Sequence, residues 1–127
     1  MKRGLFNAVA VALFLAAGLS LGPHVRAMFP EPAYVTGNYG ASYRQAAKPV
    51  VMFSTSTCPH CQHAREFFHS VHVDYQEYDI DQSPDAKHEF AVLGGNGVPL
   101  LFIGDRRIVG FRPDTIRESL ALIGEEL

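Results

Sequence analysis

The chain has 127 residues, 47% of them apolar and 19% charged, with a formal net charge of −2. That length allows one small domain with attachments, and two cysteines are too few for a disulfide scaffold. Lys2, Arg3 and Arg26 are the basic residues of the first 27, and the remaining hundred carry 8 basic against 13 acidic residues, a net charge of −5. Such a domain is not built to hold phosphate backbones, so no nucleic-acid partner is expected.

The chain opens on MKRG, then LFNAVAVALFLAAGLSL, then GPHVRA. A positive start, an apolar stretch and small residues at Val25 and Ala27 predict a signal peptide over residues 1–27. The uninterrupted apolar core, 8–19, has 12 residues, and the wider run 5–21 has 17, the lower limit for a membrane span. An uncleaved N-terminal membrane anchor is the alternative, with the membrane touched only through 5–21. In both cases Lys2 and Arg3 hold the N-terminus inside and the rest is exported. In a bacterium that means the periplasm, free or facing it from the inner membrane. Residues 28–47 read as a linker or N-terminal arm, because Pro30, Pro32, Gly37 and Gly40 break any period; a short helix is expected near 43–47. Tyr34, Tyr39 and Tyr43 read as packing or surface residues.

Residues 48–127 form the domain. KPVVMFS is an apolar run expected as a buried strand. Cys58-Pro59 opens a helix, since proline suits a first turn, with Ala64, Phe67, Phe68 and Val71 on its inner face. Val73 and Tyr75 begin a second strand. Ser83-Pro84-Asp85 starts a second helix, with Ala86, Phe90 and Leu93 inward, and Gly94-Gly95-Asn96-Gly97 stops it. VPLLFIG and RIVG form a hairpin, and Pro113 opens a last helix with Ile116, Leu120 and Ile123 buried. The expectation is an α/β fold, β-α-β-α-β-β-α, with a four-stranded mixed sheet. Its first two strands are parallel through a right-handed crossover and helices flank the sheet. A monomer is expected.

The chemistry concentrates in STSTCPHCQH. A bridge between Cys58 and Cys61 closes too small a loop to remove much unfolded-state entropy, which argues against a structural staple. A metal site is the second reading, from Cys58, His60, Cys61 and His63 with His69 and His72 nearby. The spacing Cys-x2-Cys-x7-His-x2-His is too tight for a zinc finger, so no resident metal is expected. The third reading, a redox couple, fits a CxxC at the head of a helix that follows a strand.

Over residues 48 to about 123 the chain resembles the glutaredoxin family of the thioredoxin-like superfamily. The matching stretches are VVMFSTSTCPHC, YDID, GVPLLFIGDRRIVGF and the Pro113-Asp114 pair. CxxC alone is weakly specific; a Val-Pro 37 residues beyond it and a glycine after a short hairpin make the match strong. The resemblance implies a thioredoxin-like fold and a thiol–disulfide oxidoreductase. It also implies a cis Val98-Pro99 peptide facing the cysteines, with Val98 pairing an extended substrate as an added strand does. Pro59, Val98, Pro99, Gly110 and Phe111 are the expected substrate-binding positions. Lys48 is expected to add positive potential at the thiolate. Arg106, Arg107 and Arg112 are candidates for a basic rim, with a solvated hairpin as the default.

Three departures separate the chain from glutathione-using members. Pro-His stands for Pro-Tyr, Gly110-Phe111 for Gly-Gly, and Arg112-Pro113-Asp114 for an acidic run. GFRPD is similar instead to glutaredoxin-like redoxins that serve a ribonucleotide reductase. Phe111 is expected to narrow the glutathione groove. No cofactor beyond the Cys58–Cys61 disulfide is expected, and glutathione is a candidate co-substrate that these departures count against. Cys58, at a helix N-terminus, is expected as the attacking thiolate, with His60, when protonated, favouring its charge, Cys61 as the resolving thiol and Thr57 as the helix cap. Pro-His is also the dipeptide of the bacterial periplasmic disulfide-forming oxidase, which is similar in fold but carries an inserted domain. The expected potential is therefore less reducing than thioredoxin's. The competing functional class is a non-catalytic exported module that binds copper, zinc or a partner in the same groove.

Overall fold

The computed structural model describes residues 32–39 and 48–125, with Val11 and Phe14. The expected signal peptide or anchor over 1–27, most of the arm, including the short helix near 43–47 and Tyr43, and the last two residues lie outside the described residues. The chain divides into two units, Met1–Pro32 and Ala33–Leu127. Among the described residues no helix is long and apolar enough to cross a membrane.

The second unit contains strand β1 (Val35–Thr36), β2 (Val50–Ser54), helix α1 (Pro59–Ser70), β3 (Tyr75–Asp79), α2 (Pro84–Val92), β4 (Leu100–Ile103), β5 (Arg106–Val109) and α3 (Pro113–Leu122). The sheet order is β1-β5-β4-β2-β3. β2 runs parallel to β3 and antiparallel to β4, in register Met52↔Glu77 and Met52↔Leu101. This is the expected mixed sheet with one addition. Val35 and Thr36, from the segment read as an arm, pair with Arg107 and Arg106 as a short edge strand. Period breakers on both sides hid a strand of two residues.

VVMFS is buried at every position because both faces of β2 are covered. Val50 and Met52 point with Leu101, Ile103 and Ile108 into one layer, filled by Ala64, Phe67 and Phe68 of α1 and Ile116 and Leu120 of α3. Val51 and Phe53 point the other way with Leu100 and Phe102, against Ala86 and Phe90 of α2. The period-two alternation of a strand thus builds two cores from five residues. Ser54 continues the α1 side and is fully buried.

Arg106, one of the candidate rim residues, is instead buried. Its guanidinium lies 4.0 Å from the Tyr34 ring centroid and 3.3 Å from both Ser119 Oγ and Glu118 Oε1. Arg107 donates to the Gly94 carbonyl and Arg112 to that of Val109. The three arginines hold down the hairpin and its neighbours and form no common rim. Tyr39 packs edge-on against Phe102.

Helices α1, α2 and α3 each begin with proline in the first turn and end in the same pair of reversed hydrogen bonds. For α2 they run from Gly95 N to Phe90 O and Gly94 N to Ala91 O; for α3 from Glu125 N to Leu120 O and Gly124 N to Ala121 O; for α1 from Val73 N to Phe68 O and His72 N to His69 O. The motif demands a left-handed residue, normally glycine. Gly94 and Gly124 supply it, but α1 uses His72, at φ 56°. His72→Gly is therefore expected to stabilise the protein by up to about 1 kcal/mol, the left-handed penalty less the entropy glycine adds to the unfolded chain. The β4–β5 turn is the opposite case. Gly104 has φ +60°, and a Cβ there would sit 2.8 Å from Ile123 Cγ2. Gly104→Ala is expected to cost on the order of 1–2 kcal/mol. Denaturant unfolding measures both.

Candidate active site

Ser54 ends β2, and residues 55–57 turn the chain into α1 so that Cys58 becomes the N-cap. Its sulfur accepts a hydrogen bond from the Cys61 backbone N–H at 3.4 Å. The cap is thus the thiol itself, and Thr57, the expected cap, is exposed in the turn. The reason is register: the first orphan N–H groups of the helix converge on the residue before Pro59, which is Cys58.

The Val98–Pro99 peptide is cis, and the Cys58 Sγ–H donates to the Val98 carbonyl at 3.8 Å. Pro99 is buried, and its carbonyl accepts from Gly110 N at 2.8 Å. That bond ties the end of β5 to the loop facing the thiol. Gly110 has φ +80° with open space where a Cβ would stand, so the backbone conformation, not crowding, asks for glycine there. Phe111 follows, half-buried, its ring 6.0 Å from Phe67 and 6.0 Å from His63. His63 is in turn 6.2 Å from His60, so an aromatic row runs from beside the thiols to Phe111. His60 and Pro59 are exposed. The structure brings Cys58, Cys61, Val98, Pro99 and Gly110 together, with His60 and Phe111 flanking.

The two thiols are electrostatically unlike. Burial pushes Cys58 up, but hydrogen bonds from the Cys61 side chain, from the backbone of Cys61 and His60, and the Arg65 charge outweigh it, leaving its pKa below the ordinary value. Cys61 is fully buried. Burial first, then its hydrogen bond to Cys58 and the Cys58 charge, push it up to about 12.

The cation that bears on this pair is not the expected Lys48, which faces Asp74 at 3.7 Å. It is Arg65, held by Glu77 of β3: Nε and Nη2 donate to Glu77 Oε1 at 2.9 and 2.7 Å. Nη2 also reaches Ser54 Oγ and the Thr55 carbonyl, each at 3.3 Å, and the Ser54 hydroxyl donates to Glu77. This network was legible in one respect only: Arg65 stands four residues after Cys61, on the same helix face. Among the described residues no three His, Cys, Asp or Glu side chains converge as a metal site.

A five-stranded mixed sheet with two cysteines at the head of α1 defines the thioredoxin-like fold class. Comparisons narrow the class. The glutaredoxin family model matches residues 50–108. A glutaredoxin from Pseudomonas aeruginosa is 35% identical over 63 residues, covering 49% of this chain and 75% of that protein. The solved structure of glutaredoxin grx-1 from Archaeoglobus fulgidus aligns at TM-score 0.52 and 28% identity, covering 61% of this chain and 91% of that one. A buckwheat glutaredoxin–glutathione complex aligns at TM-score 0.50 and 29% identity, covering 68% and 79%. The chain belongs to the glutaredoxin family, a family of thiol–disulfide oxidoreductases.

The raised Cys61 pKa has a consequence for stability. In the unfolded chain Cys61 loses its proton near its ordinary value, and in the folded one only at about 12. The folded state thus holds more protons in between, so the reduced protein is expected to lose stability as pH rises from about 9 toward 12. Urea unfolding under reductant is expected to show a smaller loss in Cys61→Ser than in the wild type.

Proposed function

We propose that this protein is an exported thiol–disulfide oxidoreductase that exchanges disulfides through Cys58 and Cys61. The observation carrying the reading is the split between the thiols: one lowered at a helix N-terminus, the other buried and held protonated behind it. The Cys58 thiolate attacks one sulfur of a substrate disulfide. The substrate S–S bond breaks, one substrate thiolate leaves, and a Cys58 mixed disulfide forms. Cys61 then loses its proton and attacks the Cys58 sulfur, releasing the second substrate thiolate. Two electrons pass to the substrate and the Cys58–Cys61 disulfide remains; the reverse sequence oxidises a dithiol.

The Val98 backbone beside Cys58 supports recognition of an extended peptide flanking the target cystine. Phe111, turned onto α1 where glutathione-using members have glycine, favours protein substrates over the tripeptide that the buckwheat relative binds. Export rests on the basic and apolar pattern of residues 1–27. Outside the cytoplasm an exported CxxC works where disulfides persist. Groups that stabilise the Cys58 thiolate stabilise the reduced form, which makes the disulfide more oxidising.

Insulin reduction with dithiothreitol tests the chemistry. Wild type is expected to accelerate it and Cys58→Ser to fall to background, while Cys61→Ser traps a mixed disulfide visible on non-reducing gels. No exchange by wild type, together with tight copper or zinc binding by the reduced form, would establish the metal-binding module instead. Redox equilibration is expected to place the potential above about −270 mV, the thioredoxin value. Alkylation trapping in intact cells, with N-terminal sequencing of the mature protein, reports the working redox state and the cleavage site.

A further inference from the structure

Cys58 and Cys61 share a helical stripe with Arg65: the cap, its neighbour three residues on, and a third group four residues beyond that. In a helix such positions lie one above another. Arg65 is the cation on that stripe. Its guanidinium is fixed by the Thr55 carbonyl, Ser54 Oγ, Glu77 Oε1 and, at 3.5 Å, Gln62 Oε1. Its side chain is 24% exposed, and that of Glu77 is 27% exposed. These bonds fix it at the turn between β2 and α1, where the chain delivers Cys58, so its charge is preorganised.

We propose that Arg65 and Glu77 form a charge-balanced positioning pair that sets thiol reactivity: Arg65 stabilises whichever of Cys58 and Cys61 is the thiolate at each step, and Glu77 limits the effect. The proposal rests on the exchange chemistry above. In the resting reduced protein the charge acts on Cys58. Once Cys58 is in a mixed disulfide, its own charge and its hydrogen bond no longer hold Cys61 protonated. Burial then remains the main barrier, and Arg65 is the cation that opposes it. Cys61 gives its proton to solvent or the departing thiolate, attacks Cys58, and the substrate sulfur leaves with the bonding pair. The groups around these sulfurs and the pair are Cys58, His60, Cys61 and Gln62 with α1, Ser54 and Thr55 at the end of β2, Tyr75 and Glu77 on β3, and the Val98 carbonyl before β4. Among them Glu77 is the carboxylate. Asp79, further along β3, is held chiefly by Ser56, the Asp81 backbone and Gln82, with Arg65 a smaller influence on it.

The test reads opposite signs. The pH midpoint of Cys58 alkylation by iodoacetamide is measured in the reduced full chain, with folding checked by circular dichroism. Arg65→Gln is expected to raise the midpoint by at least about half a unit, roughly a threefold loss of thiolate below it. Arg65→Lys is expected to restore at least half of that shift. Glu77→Gln keeps an acceptor for Arg65 and Ser54 but removes the countercharge, and is expected to lower the midpoint. In single-turnover quench with a peptide disulfide, Arg65→Gln is expected to prolong the Cys58 mixed disulfide about threefold or more. An unchanged midpoint in folded Arg65→Gln overturns the proposal, as does Lys failing to rescue, or both neutral variants shifting the same way. Where Arg65→Gln does not fold, Glu77→Gln decides alone: a fall supports, and no change or a rise overturns. Alkylation needs no turnover, so a wild type without exchange activity sinks the proposed function while leaving this result standing.

Discussion

Burial of β2 on both faces is the constraint from which the site follows. Five consecutive residues with no exposed side chain cannot slip by one position, because a slip would exchange the α1-side and α2-side cores. With β2 fixed between β3 and β4, its C-terminal end is fixed as well. The turn over 55–57 then has one place to deliver Cys58. The loop preceding β4 ends beside it because β4 is the antiparallel neighbour of β2. The placement of Cys58 and of the Val98 loop is thus a by-product of one strand's register.

The same strand distributes charge. Ser54 points to the α1 side, in step with Val50 and Met52, and Glu77 on β3 lies opposite Met52 with its side chain on that face. A fully buried hydroxyl and a half-buried carboxylate at the end of an apolar layer need partners. Arg65 is that partner, and it is anchored by five hydrogen bonds reaching β2, β3 and its own helix. The cost of placing polar groups there is offset by the bonds they make to one another. The by-product is a fixed positive charge at the turn from which Cys58 emerges, carried by a residue one helical turn beyond Cys61.

Most of the architecture was legible from periodicity. β2, β4 and the helix starts follow from apolar runs and from three prolines that each open a helix. Two features were not legible. The edge strand at Val35–Thr36 is held by the β5 backbone and by Tyr34 under Arg106, partners some 70 residues away in sequence, so no local pattern announces it. His72 at a helix C′ position has no sequence signature either, because the expected residue there is glycine. The basic rim failed for a related reason. Arg106 and Arg107 alternate along β5 and Arg112 stands at the N-cap of α3, so the three point at different neighbours.

Sequence alone determined the chemical class of the site: two cysteines three apart, after a buried strand, opening a proline-started helix. That follows because helix N-termini favour anions and because a three-residue separation is too short to staple a fold. It did not determine which thiol is activated by what. Lys48 was expected from the family resemblance and Thr57 from its place just before the helix, yet one faces Asp74 and the other faces solvent. Tertiary structure decided that Cys58 caps its own helix and that Arg65, held by Glu77, is the cation next to that turn. Electrostatic influence depends on distance through space and on burial, and both are properties of the packed sheet and helix rather than of spacing along the chain.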